Sequence, residues 1–91
     1  MTTSGVIGGE IPALLKLNTS FQRHSGDVST LVSLLSNELE AAYWRGAAAE
    51  RFKASWRDEF APVLRRLAVE LQENGREVAS RAHKLELAGG V

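Results

Sequence analysis

At 91 residues, with eleven basic and eleven acidic side chains and a formal net charge of zero, the chain makes one domain at most. It lacks the basic excess of a phosphate-backbone binder, which argues against nucleic acid as a partner. The absence of cysteine removes both a disulfide framework and a thiolate metal site.

The first ten residues, MTTSGVIGGE, hold no basic side chain and no apolar run long enough for a signal-peptide core. Residues 1–10 are therefore expected to be a flexible tail, and the chain to be made in the cytoplasm without a cleavable signal. No stretch approaches the roughly 20 consecutive apolar residues of a membrane span.

From Leu14 the apolar residues follow a heptad grid, with Leu14, Phe21, Val28, Leu35 and Ala42 at one position and Leu17 and Leu31 at the other. Val32 and Leu39 widen the stripe, while His24 and Glu38 occupy the remaining grid positions. Ser25-Gly26-Asp27 interrupts it, where a helix could bend or start afresh on a Ser25 or Asp27 cap. The pattern is drawn as one long, imperfect helix over about 11–43.

Trp44-Arg45-Gly46 follows as a turn, and three alanines open a second helix over about 47–87. Its stripe places Phe52, Trp56, Phe60, Leu64, Leu67, Leu71, Val78, Ala82 and Leu85 mostly three or four apart. Pro62 predicts a kink near Phe60, and Asn74-Gly75 weakens the stripe near its middle. Gly89-Gly90 removes helical preference, so residues 88–91 are expected to be a second flexible tail.

A turn this short between two helices places them antiparallel, which predicts an all-α helical hairpin over 11–87. No third element covers the apolar stripes, so the expected solution is a dimer of hairpins forming an elongated four-helix bundle. Leu14, Phe21, Val28, Leu31, Leu35, Phe52, Trp56, Phe60, Leu64, Leu67, Leu71 and Val78 are its candidate core. The first arm carries two basic and four acidic residues and the second nine and seven, opposite signs that favour antiparallel alignment. Pairs such as Glu77 with Arg81 read as solvated supports on one helix face.

Candidate chemistry is sparse. His24 and His83 fall on different arms without metal-ligand spacing and read as rim or interface residues, so no metal and no cofactor are expected. No nucleophile motif and no phosphate-cradling glycine loop is present, which argues against an enzyme. The polar faces mix both signs, unlike the Lys/Arg-rich face of a membrane-surface helix. Trp44 and Gly46 remain as the candidate recognition motif. Gly46 can take a left-handed conformation that reverses the chain after a helix end, and the Trp44 ring can cover the last apolar layer near Tyr43 and Ala47.

A chain of this length with two amphipathic helices, no cysteine and a Trp-x-Gly turn between them resembles the WXG family, the ESAT-6-like proteins of type VII secretion. The likeness spans about Ile11 to Glu86. The alanines after Gly46 and the aromatic Phe52, eight places after Trp44, match the usual start of the second helix. Phe21-Gln22-Arg23-His24-Ser25-Gly26-Asp27 also looks like the first helix of culture-filtrate-antigen-type partner subunits.

The resemblance implies a hairpin that dimerises with itself or with a related WXG subunit, and export, to the medium or the cell surface, by a machine driven by a membrane ATPase. The protein would then be a secreted effector or a carrier for one. The Tyr-x-x-x-Asp/Glu signal that many members carry after the second helix is missing. Glu86 could be its acidic remnant, but Ala82 stands where the tyrosine belongs. A cytosolic hairpin adaptor or assembly subunit with no export role is the alternative.

Overall fold

In a computed structural model the backbone is described from Thr2 to Gly89 and the side chains from Gly9 to Gly89. Helix α1 runs Thr2–Ala41, α2 Ala47–Ser55 and α3 Ala61–Gly89, with one π-helical turn, Trp56–Phe60, joining α2 to α3. The described residues are helical without a strand, in a body of 66 × 18 × 17 Å.

Four contacts set the register between α1 and the second half of the chain. Glu10 meets Arg81, Gln22 donates to the Gln72 carbonyl, Ser25 donates to the Ala68 carbonyl at 2.6 Å, and Trp56 donates to Ser36. As the partners climb from Glu10 to Ser36 they descend from Arg81 to Trp56, so the two segments lie alongside each other in opposite directions.

The packed seam of α1 is a heptad pair of rows. Ile11, Asn18, Ser25, Val32 and Leu39 form one row, and Leu14, Phe21, Val28 and Leu35 the other, all buried or half-buried. The seam of α3 alternates small and large residues. Ala61, Ala68, Gly75 and Ala82 recur every seventh residue and are buried, with half-buried Leu64, Leu71, Val78 and Leu85 between them. A row of small residues lets the backbones approach closely, and the larger side chains of α1 fill the space they leave. Gly75 is a point of close approach, where an added Cβ would stand 3.2 Å from the Phe21 Cβ and 2.5 Å from Gln22 Nε2. The glycine expected to weaken the stripe is thus buried in it.

The π turn is the local answer to Pro62. A proline in a helix interior lacks an N–H and its ring collides with the carbonyl four residues back. Here the Ala61 N–H bonds to the Trp56 carbonyl, five residues back, widening the ladder one residue before the proline. The kink expected near Phe60 is resolved as this extra residue. It also changes the seam's phase: Ala49 and Trp56 hold the buried row before it, and Ala61 and its heptad partners after it.

Several boundaries differ from the sequence reading. α1 begins at Thr2 rather than near Ile11, because helix elongation adds one hydrogen bond per residue and needs no apolar stripe to continue. It ends at Ala41 rather than 43. It passes through Ser25-Gly26 without interruption, the Ser25 hydroxyl being used across the seam instead of as a cap. α3 includes residues 88 and 89 of the expected tail, whose last two residues, like Met1 at the other end, lie outside the described residues. Leu17, Leu31, Phe52, Phe60 and Leu67, whose spacing predicts seam positions, are exposed. Arg81 reaches across to Glu10 at 4.0 Å, rather than to Glu77 on its own helix.

Candidate functional site

The corner between α1 and α2 is built on one backbone conformation. Gly46 has φ 111° and ψ 172°, a region that is essentially glycine-only. It serves as the N-cap of α2, its carbonyl accepting the Glu50 N–H at 3.0 Å, rather than as the left-handed residue ending α1. Beyond its two chain neighbours, no atom lies within 4 Å of where a Cβ would stand, so any penalty on a side chain there is conformational and not crowding by packed neighbours.

Trp44 is held at the same corner. Its N–H bonds to the Ala42 carbonyl, and its own carbonyl accepts from the Lys53 ammonium at 3.2 Å. The indole does not cover Tyr43 and Ala47. It packs against Phe52, with ring centroids 6.0 Å apart, and Phe52 packs against Phe60 at 6.3 Å. Tyr43 points away, 89% exposed, with the Arg45 guanidinium 5.7 Å over its ring. All three rings of the Trp44, Phe52, Phe60 ladder remain open to solvent along one edge.

The seam register extends that edge. Glu10 and Arg81 flank the seam on one side, so heptad counting places Leu17, His24, Leu31 and Glu38 of α1 on it, with Leu67 and Asn74 of α3. Leu34 and Val63 lie next to this row and are exposed. From Trp44 to Leu67 the edge is mostly apolar, interrupted by exposed Glu38 between Leu31 and Trp44. Towards Glu10 it is mixed: His24 Nδ1 lies 3.2 Å from Asp27, Leu17 is exposed, and Glu70, Asn74 and Glu77 follow on α3.

The opposite edge has another character. Gln22 and Gln72 meet there, and near the corner an open cavity of about 530 Å³ is lined by Ser36, Glu50, Lys53, Trp56 and Arg65 among others. Trp56 is 8% exposed and donates its indole N–H to the Ser36 hydroxyl at 2.9 Å, so the two tryptophans differ: one ring is locked in the core, the other displayed. In the π turn, the Arg57 guanidinium beside Asp58 holds that carboxyl below its usual range. Both side chains are exposed, and nothing converges on the pair.

The structure thus gathers Trp44, Phe52, Phe60, Leu31 and Leu67 on one open edge. It places Leu14, Phe21, Val28, Leu35, Trp56, Leu64, Leu71 and Val78 in or along the seam. Glu86 is exposed, but Ala82, 1% exposed, faces α1, so the two do not form a shared surface. Among the described residues no group of three His, Asp or Glu could hold a metal ion, and no helix is long and apolar enough to cross a membrane.

Spacing placed Ala82 on the stripe but missed Ala61, Ala68 and Gly75, although the four repeat strictly by seven. It also grouped Phe52, Trp56, Phe60 and Leu64 as one stripe. Steps of four turn about 40° beyond a full circle each time at 3.6 residues per turn, so such a run cannot stay on one face of an α-helix. Compared with known proteins, the chain matches no family model, no curated protein and no solved structure.

Proposed function

We propose that the protein is a non-enzymatic binding module of the ESAT-6-like kind: a helical hairpin that pairs with itself or a related subunit into a four-helix bundle and is exported by a type VII secretion machine. The observation that carries this reading is the corner. Trp44 and Gly46 stand at the reversal between the two helical segments, Gly46 in a conformation other residues resist and Trp44 heading an exposed aromatic ladder. A ring kept open at a rigid corner suits recognition better than plugging, because the core beside it is already closed by Trp56.

The buried position of Ala82 supports a signal supplied by a second chain. A tyrosine there would point into the seam, so the Tyr-x-x-x-Asp/Glu signal implied by the family resemblance would need its aromatic half from a related hairpin. Release into the medium of a native host is the test, comparing the wild type, Trp44→Ala, a strain lacking the secretion ATPase and a strain lacking the nearest related hairpin subunit. Release is expected to fall in all three altered cases while Trp44→Ala stays folded by circular dichroism. Undiminished release without the ATPase would overturn the export reading, and undiminished release without the neighbour would overturn the shared signal.

A further inference from the structure

The packing between the two helical segments is uneven along its length. Among the described residues the large side chains that are buried, Val32 at 2% exposure and Trp56 at 8%, lie near the corner, in one cluster with Ala61 and with Leu35, Leu39 and Leu64 packed against it. Towards the free ends the buried residues are Ala68, Gly75 and Ala82, which carry one methyl group or none. Phe21, Leu71 and Val78 belong to that stretch of seam but are only half-buried. Since hydrophobic stabilisation follows the apolar area removed from water, the corner end of the seam holds more of it per residue than the free end.

Where the large buried side chains stop, one seam row of α1 turns polar. Asn18 and Ser25 take the heptad position that Val32 and Leu39 hold nearer the corner. Gln22 Nε2 donates to Asn18 Oδ1 at 3.2 Å and to the Gln72 carbonyl at 3.0 Å, and the Ser25 hydroxyl donates to the Ala68 carbonyl. Both of these carbonyls lie inside α3, whose own ladder supplies each with an N–H four residues on. Parting the arms would leave the carbonyls in their helical bonds and give the amide and hydroxyl donors to water, so little net stability is lost with either bond. The Glu10 and Arg81 contact near the free ends is 4.0 Å long between solvent-accessible side chains and holds weakly. Parting the corner end would instead uncover the whole Trp56 indole and break its bond to Ser36.

We propose that the hairpin opens from its free ends as one unit: residues 11–25 and 68–85 part and close again while the cluster around Val32 and Trp56 stays shut and keeps the corner at residues 44–46 in shape. The boundary lies opposite itself in the register, because Ser25 faces Ala68 and Ser36 faces Trp56. Helices released from their packing are marginal in water, so the parted arms also lose protection of their backbone N–H groups. Such an arrangement lets the half of the molecule away from the corner change shape without disturbing Trp44 and Gly46. It depends neither on the export reading nor on pairing.

Amide hydrogen exchange of the full chain, resolved by residue with NMR, tests this in the wild type, Val32→Ala and Asn18→Leu. In the wild type, amides of residues 14–24 and 70–82 are expected to share one level of protection, at least about a hundred-fold below that of residues 32–36 and 64–66. A single level throughout would overturn the proposal, and so would protection that declines residue by residue towards the ends, which is fraying. Val32→Ala leaves a cavity in the part that stays closed, so it is expected to speed exchange near the corner about ten-fold and leave the arms as they were. Equal acceleration of both regions would mean that arms and corner unfold together. Asn18→Leu puts an apolar side chain of similar size at a half-buried seam position and is expected to slow exchange in the arms about ten-fold. Arms left as open as before, in a variant of unaltered helicity, would show that the polar row is not what loosens them and would overturn that cause.

Discussion

At the residue scale, Gly46 and the two tryptophans separate conformation, packing and display. Gly46 has empty space where a Cβ would go and a dihedral pair that only glycine adopts without strain. Gly46→Ala is therefore expected to cost about 1–3 kcal/mol from backbone strain alone. A synthetic chain with D-alanine at 46, for which positive φ is favourable, should recover most of that loss in thermal unfolding. If L- and D-alanine lowered the melting temperature equally, crowding or a changed corner would be the cause instead. For Trp56, buried and bonded to Ser36, replacement by alanine should cost about 3–5 kcal/mol. Ser36→Ala, which strands a part-buried indole N–H, should cost about 1–3 kcal/mol. Trp44→Ala, at a ring open to water, should cost markedly less than Trp56→Ala, and chemical denaturation of the three variants would rank them.

At the scale of elements, the second half of the chain is two helical phases spliced by a π turn. The extra residue lets Trp56 and Ala61 both face α1 across a spacing of five, and lets Phe52 and Phe60 stack on the outer edge across a spacing of eight. Pro62 gives the reason for the splice, but the seam gives the reason to keep it, since without it Trp56 and Ala61 could not share one face. Pro62→Ala is accordingly expected to retain the hydrogen-bond pattern of the turn, read by amide exchange at Ala61. Exchange there as fast as in unstructured chain would mean the seam does not sustain it. Close approach at Gly75 makes the opposite kind of site. Gly75→Leu forces a large side chain against Phe21, and overpacking of this type typically costs 1–3 kcal/mol. In a domain this size that corresponds to a fall of about 4–8 °C in melting temperature per kcal/mol. An unchanged melting temperature would show that the two segments can separate there without loss.

For the whole molecule, the decisive property is that a body only 18 × 17 Å across cannot hide all of its apolar side chains between two helical layers. The α3 seam uses small residues, which bring the backbones together but bury little area per residue. The larger Phe60, Val63 and Leu67 are left outside. Pairing should therefore add stability by mass action, and the melting temperature should rise with protein concentration. A melting temperature constant over a hundred-fold range, about 2.7 kcal/mol of linkage at saturation, would be that of a self-sufficient monomer. Pairing through the exposed apolar side chains of Phe60, Val63 and Leu67 should not be dissociated by added salt, unlike an interface held by surface ion pairs.

The all-helical class was legible in the chain itself, because 3.6-residue periodicity, helix-favouring composition and a single Trp-x-Gly break are local properties that hold whatever the helices pack against. Leu14, Phe21, Val28 and Leu35 were readable for the same reason, as one strict heptad row. Which apolar residues face inward in the second half was not. Phe52, Phe60 and Leu67 have the same hydrophobicity and similar spacing to Trp56, Leu64 and Leu71, and a stripe wider than the seam leaves the choice to the partner helix. Tertiary packing decided it by favouring the closest backbone approach, which selects Ala61, Ala68, Gly75 and Ala82 for the inside and turns the larger rings and aliphatic side chains to the edge. The same packing settled the phase of the π turn and the separate roles of the two tryptophans, since both depend on distances between residues far apart in the chain.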